Sequence, residues 1–419
     1  TLREGLRKSQ RSFAHRNASW PEGVAILDTQ TERDLVAWSQ VWVNTPGRPH
    51  FSVETREGGV ALQQRDPAGK NRVWPQQFSV HIASGRTLNV DASGSATLLA
   101  TAGGSPLLNA DGHGYGLFPA TLDQLGDWSG LTDLERGSLL VNVYENVLEG
   151  RVTPEAFLLA LLDVVDARPQ ALLLDLVLAQ LQRTHTSLLS ESSRERLLPE
   201  VESVLWRALE QDPANRRQLY QAYAELSATA PALERLERLW SGDLALEGLT
   251  LSEQDRIRLT ELLAIGQPSR AEALIARQLK QIENPDQRER LLFIAPSLAA
   301  AESTRDSFFA SLADAGNRET ERWVLEALAN LHHPSRRHHS VDYLPRALEL
   351  LEEIQVTGDI FFPAGWLQAN FGNHNSPTAV QVAETFLDAR PDYNPQLAMK
   401  IRQAADLPER AAAMVYPSD

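Results

Sequence analysis

The sequence has no cysteine, and that single absence removes several chemistries at once. No disulfide framework, zinc–thiolate site or cysteine nucleophile can be built from these residues, which fits a reducing compartment and gives a cytoplasmic expectation. Basic charge is also in short supply: 40 Lys and Arg face 55 Asp and Glu, a net charge of -15. A duplex-binding surface needs clustered cations to neutralise phosphates, so nucleic acid is excluded as an expected partner. Long apolar runs are missing too. A membrane span needs about 18 consecutive apolar residues, and the richest run, Ala171 to Leu181, is broken by Asp175 and Gln180. The chain opens Thr1-Leu2-Arg3-Glu4-Gly5-Leu6-Arg7, already helix-like, with no methionine and no signal-peptide pattern. This predicts that residue 1 lies inside a longer natural protein. Finally, there is no H-E-x-x-H, no P-loop, no G-x-S-x-G and no carboxylate pair of interpretable spacing.

What is present divides into three stretches. Length alone, 419 residues, accommodates two or three domains with ordinary cores. Residues 1 to 43 read as short helices, with Leu2, Leu6, Phe13, Val24, Ile26, Leu27, Leu35, Trp38 and Trp42 spaced for one-sided burial. Trp38 and Trp42, four apart, form a packing stripe. This piece is too small to be a domain and is expected to cap an absent one. After the breaker Asn44-Thr45-Pro46-Gly47-Arg48-Pro49 the apolar period changes to two, through Phe51, Val53, Val60, Leu62, Phe78, Val80, Ile82, Leu88, Val90, Leu98, Leu107 and Leu117. Gly58-Gly59 marks a hairpin, and Asn109-Ala110-Asp111-Gly112 is turn chemistry. Residues 44 to 119 are therefore predicted to be a small antiparallel β-sandwich or open barrel. Gly112-His113-Gly114-Tyr115-Gly116 within it is read as a terminal strand with a packed tyrosine, since its glycine spacing is not that of a phosphate loop.

From residue 120 to 419 the pattern is helix after helix. Thr132 with Glu135, Ser192 with Glu195 and Ser269 with Glu272 have capping-box spacing. Thr153-Pro154, Asp212-Pro213, Asn284-Pro285, Ser376-Pro377 and Asn394-Pro395 place a cap residue before a proline at the first helical position. Leu134, Val141, Tyr144 and Leu148 are spaced to form one apolar face. Successive amphipathic helices with short connections stack against their neighbours, so the fold class is mainly α, an irregular α-α superhelical array of the HEAT or armadillo kind behind the small β-sandwich. No fixed repeat period is detectable.

The densest chemistry lies in His332-His333-Pro334-Ser335-Arg336-Arg337-His338-His339. A metal site is disfavoured there, because a third ligand is needed and Arg336 and Arg337 repel a cation. An anion-recognising turn suits these residues better: adjacent guanidiniums bind a carboxylate bidentately and histidines add charge below neutral pH. A solvated loop without a role remains the plain alternative. Farther on, Gly358-Asp359-Ile360-Phe361-Phe362-Pro363 is a Gly-to-Pro turn carrying aromatics.

The order of these parts resembles the C-terminal part of the aminopeptidase N and puromycin-sensitive aminopeptidase family, bacterial type. Phe13-Ala14-His15-Arg16-Asn17-Ala18-Ser19-Trp20, Asp34-Leu35-Val36-Ala37-Trp38 and Trp42 to Pro49 look like the end of that family's catalytic domain. Gln63-Gln64 and Leu108 to Gly116 are similar to its β-sandwich. Leu131-Thr132-Asp133-Leu134-Glu135-Arg136, Gly358 to Pro363 and Gln403-Ala404-Ala405-Asp406 look like its C-terminal helical domain. The resemblance implies a complete protein that is a zinc metallopeptidase removing N-terminal amino acids from peptides, with zinc held in the absent catalytic domain and no cofactor in this chain. Its partners would be its own catalytic domain and peptide substrates. The helical array would close over the active site as a chamber, with Arg336, Arg337, His332, His333, His338 and His339 facing the lumen. The competing reading is a stand-alone helical scaffold that binds a peptide or protein partner without catalysis.

Overall fold

A computed structural model describes residues 2–56, 59–82, 85–99 and 105–417. It is mainly helical, with a small antiparallel sheet region ahead of most of the helices. Contacts divide the chain into two compact units, Thr1–Asn146 and Val147–Asp419, so the division falls inside a helix rather than at the expected boundary near 120.

The first unit begins with helices α1 (Leu2–Ser12), α2 (Trp20–Asp28) and α3 (Leu35–Trp42). Ser19 starts α2 with a capping box to Glu22, and Asp34 starts α3 by accepting from the Ala37 N–H. These helices pack in sequence order, yet each buries a single residue: Gly5, Val24 and Ser39 respectively. Of the residues expected on the buried side, Val24 is buried and Phe13, Ile26, Leu27, Leu35 and Trp42 are half-buried, whereas Leu2, Leu6 and Trp38 are exposed, as are Trp20, Val36 and Val43.

The sheets follow. Strands β1 (His50–Arg56), β2 (Gly59–Arg65) and β5 (Ala96–Leu99) form one antiparallel sheet in the order β1-β2-β5, and β3 (Gln77–Ile82) pairs with β4 (Arg86–Asp91) in a second. The β1–β2 pairing runs to Arg56 opposite Gly59, as the hairpin signal predicted; Gly58 itself lies outside the described residues. Phe51, Val60, Leu62, Phe78, Val80, Ile82, Val90 and Leu99 come from both sheets into one core. Phe51 stacks on Phe118 with ring centroids 4.6 Å apart, and Phe78 meets both edge-on. Leu107 and Leu117 contribute isolated bridges to His81 and His50 rather than strands. The Gly112 to Gly116 stretch is a loop, not a terminal strand. A Cβ at Gly114 would stand 2.8 Å from the Phe118 ring and 2.9 Å from Asn109 Oδ1, so only glycine fits. Tyr115 is half-exposed and lies against Trp42, 5.8 Å between rings, with Trp38 stacked on Trp42 at 6.5 Å.

After the short α4 (Leu122–Gly126), α5 (Asp133–Leu148) closes this unit. Thr132 and Glu135 form the expected capping box, with the Thr132 N–H donating to Glu135 at 2.8 Å. The apolar face is not the expected one. Leu134 and Val141 are exposed, and Leu139, Leu140, Val143 and Val147 are buried instead. Beside them runs a buried polar stripe: Glu135 contacts His81 Nδ1 at 2.8 Å, Ser138 donates to the Asn109 carbonyl, Asn142 to that of Leu108 at 3.1 Å and Asn146 to that of Phe118 at 2.7 Å. These residues satisfy carbonyls that no strand partner reaches.

The second unit is built from α6 (Pro154–Asp166), α7 (Ala171–Arg183) with a π turn at Thr184–Leu188, α8 (Glu191–Gln211), α9 (Arg216–Leu226), α10 (Ala230–Ser241), α11 (Glu253–Gly266), α12 (Ala271–Leu279), α13 (Pro285–Leu298) and α14 (Glu302–Ser311). It continues through α15 (Glu321–Leu331), α16 (Arg337–Ser340), α17 (Leu344–Glu349), α18 (Leu351–Thr357), α19 (Phe362–Phe371), α20 (Pro377–Asp388) and α21 (Pro395–Val415). Thr153, Asn284, Ser376 and Asn394 cap helices whose first residue is proline, as expected. Elsewhere the caps shift. Ser190 rather than Ser192 caps α8, a 3₁₀ turn at Pro268–Arg270 replaces the Ser269 box, and Asp212 ends α8 rather than starting α9. Neighbouring helices pack pairwise around cores such as Leu328, Leu344, Leu348, Leu351, Trp366 and Phe371. No described helix is long and apolar enough to cross a membrane.

The two ends of this unit meet. Asn375 donates its Nδ2 to the carbonyls of Ser187 (3.1 Å) and Leu189 (3.3 Å), Arg337 donates to that of Thr186, and α21 packs on the π turn. Arg410, also on α21, reaches the Leu148 carbonyl and the Glu149 carboxylate, 3.1 Å away. An open array of stacked hairpins would leave these carbonyls to water. Here the last helices cover the first.

Candidate functional site

The six residues singled out from the sequence sit on the turn between α15 and α17, and the structure gives them separate roles. His332 is fully buried at the end of α15. Its Nδ1 lies 2.9 Å from His374 Nε2 and its Nε2 3.0 Å from Asn370 Oδ1. Because the Asn370 amide nitrogen donates to the Trp366 carbonyl, its oxygen accepts from His332 Nε2–H. His332 Nδ1 is then an acceptor, and His374 Nε2–H the donor. Burial pushes His332 down to about 4 and His374 well below the usual imidazole value, so both are neutral at physiological pH.

Arg336 is committed to backbone. Its Nη1 donates to the carbonyls of Ser297 (2.7 Å) and Asn330 (3.3 Å) and its Nη2 to that of Leu298 (3.2 Å), which satisfies the exposed ends of α13 and α15. Both terminal nitrogens of Arg336 are thus engaged by main-chain carbonyls rather than held free beside Arg337. His338 is exposed and 3.2 Å from Glu191. His339 bonds Asp306 at 2.7 Å, and Tyr343 donates to the same oxygen. The turn does not bring all six side chains to one ligand.

His333 and Arg337 differ from the rest. His333 accepts the Ser335 N–H at Nδ1 and is half-buried, yet it feels charges from four arginines. Burial first, then Arg336, Arg258, Arg194 and Arg337, drive it down to about 3. Two of those cations come from distant elements, Arg194 on α8 and Arg258 on α11, because the helical unit closes on itself.

Arg258 itself belongs to a charge network on α9, α11, α13 and α15. Arg258 donates to both oxygens of Glu225 at 2.7 Å and to Glu261 at 2.8 Å, and Arg290 donates to Glu326 at 2.7 Å while lying 3.4 Å from Glu261. Three carboxylates face two guanidiniums. Burial, with the charge of Glu326 adding to it, pushes the carboxyl of Glu261 above the usual carboxylate range. No sequence spacing signals this group, since Glu225, Arg258, Arg290 and Glu326 are each about a helical hairpin apart.

No protein-family model matches the chain, and no curated protein matches it at a significant level. The reading of its chemistry rests on the residues alone. Among the described residues no three His, Asp or Glu side chains converge as a metal-binding group. The residues that sequence reasoning missed are Arg194, Arg258, Glu261 and His185, which lie outside any motif and acquire meaning only through the closure.

Proposed function

We propose that this chain is the non-catalytic C-terminal portion of a zinc-dependent aminopeptidase, in which the helical unit encloses peptide substrates and the first helices dock the catalytic domain. The observation that carries the reading is the uncovered apolar surface of α1–α3. Leu2 (67% exposed), Leu6, Trp20, Val36, Trp38 and Val43 lie on three consecutive helices that bury almost nothing of their own. Large apolar side chains exposed on successive elements suit an interface. The motif order from Phe13 to Asp406 supplies the identity of the expected partner, a metallopeptidase domain.

In this reading zinc belongs to the catalytic domain, where it would polarise the attacked carbonyl and activate water. The described residues offer no ligand set for it, so no step of the reaction is assigned to this chain. Its part in this reading is to enclose and size-select peptides.

The test compares the chain with the encoded polypeptide that contains it, measuring zinc content and cleavage of aminoacyl reporter substrates with a chelator control. Zinc and chelator-sensitive cleavage in the larger polypeptide, with neither in this chain, is the expected result. A larger polypeptide without zinc or activity removes the peptidase reading. The scaffold reading would then stand, favoured by the exposed apolar side chains of Val356 near the end of α18 and of Ile360 and Phe361 (79% exposed) on the turn before α19.

A further inference from the structure

Where the ends of the helical unit meet, α8, α16, the start of α20 and the end of α21 enclose a cavity of about 370 Å³. Two guanidiniums line it, Arg194 and Arg337, together with Glu191, Thr378, Val341 and Tyr416. Both arginines are underpaired. The Arg194 side chain is 13% exposed; among the described residues it makes no side-chain hydrogen bond, its ion-pair partner Glu191 is 3.8 Å away, and its Nη1 is a buried donor without an acceptor. Arg337 donates once, to the Thr186 carbonyl, has no ion pair, and its Nε is likewise buried and unpartnered.

This arrangement is unlike the other buried arginines. Arg258 and Arg290 each hold a carboxylate in a two-point geometry, and Arg305 and Arg336 each hold two or more carbonyls. A buried guanidinium lacking such partners is costly, because lost hydration is not replaced. Beside the pair, Ser376 caps α20 and Pro377 opens it, so Thr378 presents a main-chain N–H that has no intrahelical acceptor. His185, buried behind the two arginines, is held neutral, down to about 4, by burial and by their charges. It adds no negative charge. Among the described lining residues two guanidiniums and one helix start face a single carboxylate, Glu191, which also contacts His338 at 3.2 Å, in a chain of net charge -15.

We propose that this cavity is a binding site for a small oxyanion, a carboxylate or a phosphate, held between Arg194 and Arg337 with the Thr378 N–H as a third donor. Fork-shaped guanidinium donors suit the two oxygens of either group. The apolar wall of Val341 and Tyr416 adjoins the cations, which suits a ligand carrying an apolar substituent. The assignment is independent of the peptidase reading, since it needs nothing outside the helical unit.

The test is titration calorimetry on the full chain at physiological ionic strength with three probes: inorganic phosphate, N-acetyl-leucine and N-acetyl-leucine amide, with sodium chloride as the ionic-strength control. Binding of phosphate, of the carboxylate or of both, with no heat from the amide, is the expected result, and the stronger of the two identifies the source chemistry. Arg337→Met is expected to weaken binding by at least about tenfold, the equivalent of one lost charged hydrogen bond. Glu191→Gln, at an exposed position that leaves the core intact, is expected to strengthen it several-fold by removing the competing carboxylate. The second variant keeps the proposal testable if the first fails to fold. Absence of binding by the folded chain at tens of millimolar, or binding that Glu191→Gln leaves unchanged, overturns the assignment.

Discussion

The residues of this protein that look most like ligands are largely spent on holding it together. His332 is the sharpest case, because its two nitrogens are matched to Asn370 and His374 in a pattern that works only with both rings neutral. A proton at His332 Nδ1 would face the His374 N–H. The ordinary value is 6.5 and the folded value about 4, so the folded state binds fewer protons than the unfolded chain between these limits. Stability contributed by the neutral ring is therefore complete above about pH 6.5 and falls as the pH drops toward 4, by about 3 kcal/mol for a fully buried group. Urea midpoints measured from pH 7 to 4 should decline over that window. His332→Gln, which cannot ionise, should lose stability at pH 7 yet flatten the decline; a slope identical to the parent's would show that other groups govern the acid limb. Arginine follows the same logic. Arg216, Arg305 and Arg336 donate to carbonyls at helix ends, so a basic residue near a helix terminus is here a staple between helices before it is a binding group.

At the scale of elements, helix α5 illustrates how a periodic pattern misleads. Leu134, Val141, Tyr144 and Leu148 have faultless helical spacing, and the helix exists where they predicted it. The face is wrong. What decides the orientation is the need of the Asn109, Leu108 and Phe118 carbonyls for donors, which Ser138, Asn142 and Asn146 meet at spacings of four. Burial of a polar stripe outweighs burial of one or two more leucines, since an unmet buried carbonyl costs about 1 to 3 kcal/mol. Asn142→Ala should accordingly destabilise the protein by about 1 to 2 kcal/mol in chemical denaturation, and Leu134→Ala by less than about 0.5 kcal/mol. The reverse order would restore the apolar face read from the sequence. The β elements were easier to read, because alternation at period two has only two solutions and Phe51, Leu62, Phe78 and Val80 choose between them.

For the whole helical unit the deciding feature is closure. Stacked helical hairpins need contact only with their neighbours, and nothing in such a pattern says whether the ends meet. Asn375 makes the clearest link, with two hydrogen bonds to carbonyls some 186 to 188 residues earlier. Asn375→Ala should loosen the seam locally. Hydrogen exchange in the π turn Thr184–Leu188 is expected to accelerate by about tenfold while α11 is unaffected, because opening there is sub-global. Equal acceleration throughout the unit would mean that the seam is part of one cooperative core.

By itself the sequence determined the class of the fold, the stretch that holds its sheets, several helix starts, and the exclusion of thiol chemistry, because these depend on composition, local periodicity and capping chemistry within a few residues. It also located the turn from His332 to His339 as the densest chemistry. Only the tertiary structure decided which of those side chains are free to act. Arg336 is occupied by carbonyls from two helix ends and His332 by a partner 42 residues away, whereas Arg337 is left with an unmatched charge beside Arg194, 143 positions earlier in the chain. The physical reason is that hydrogen-bond satisfaction is a property of three-dimensional neighbours, and a charge becomes a binding group only where the fold leaves it without one.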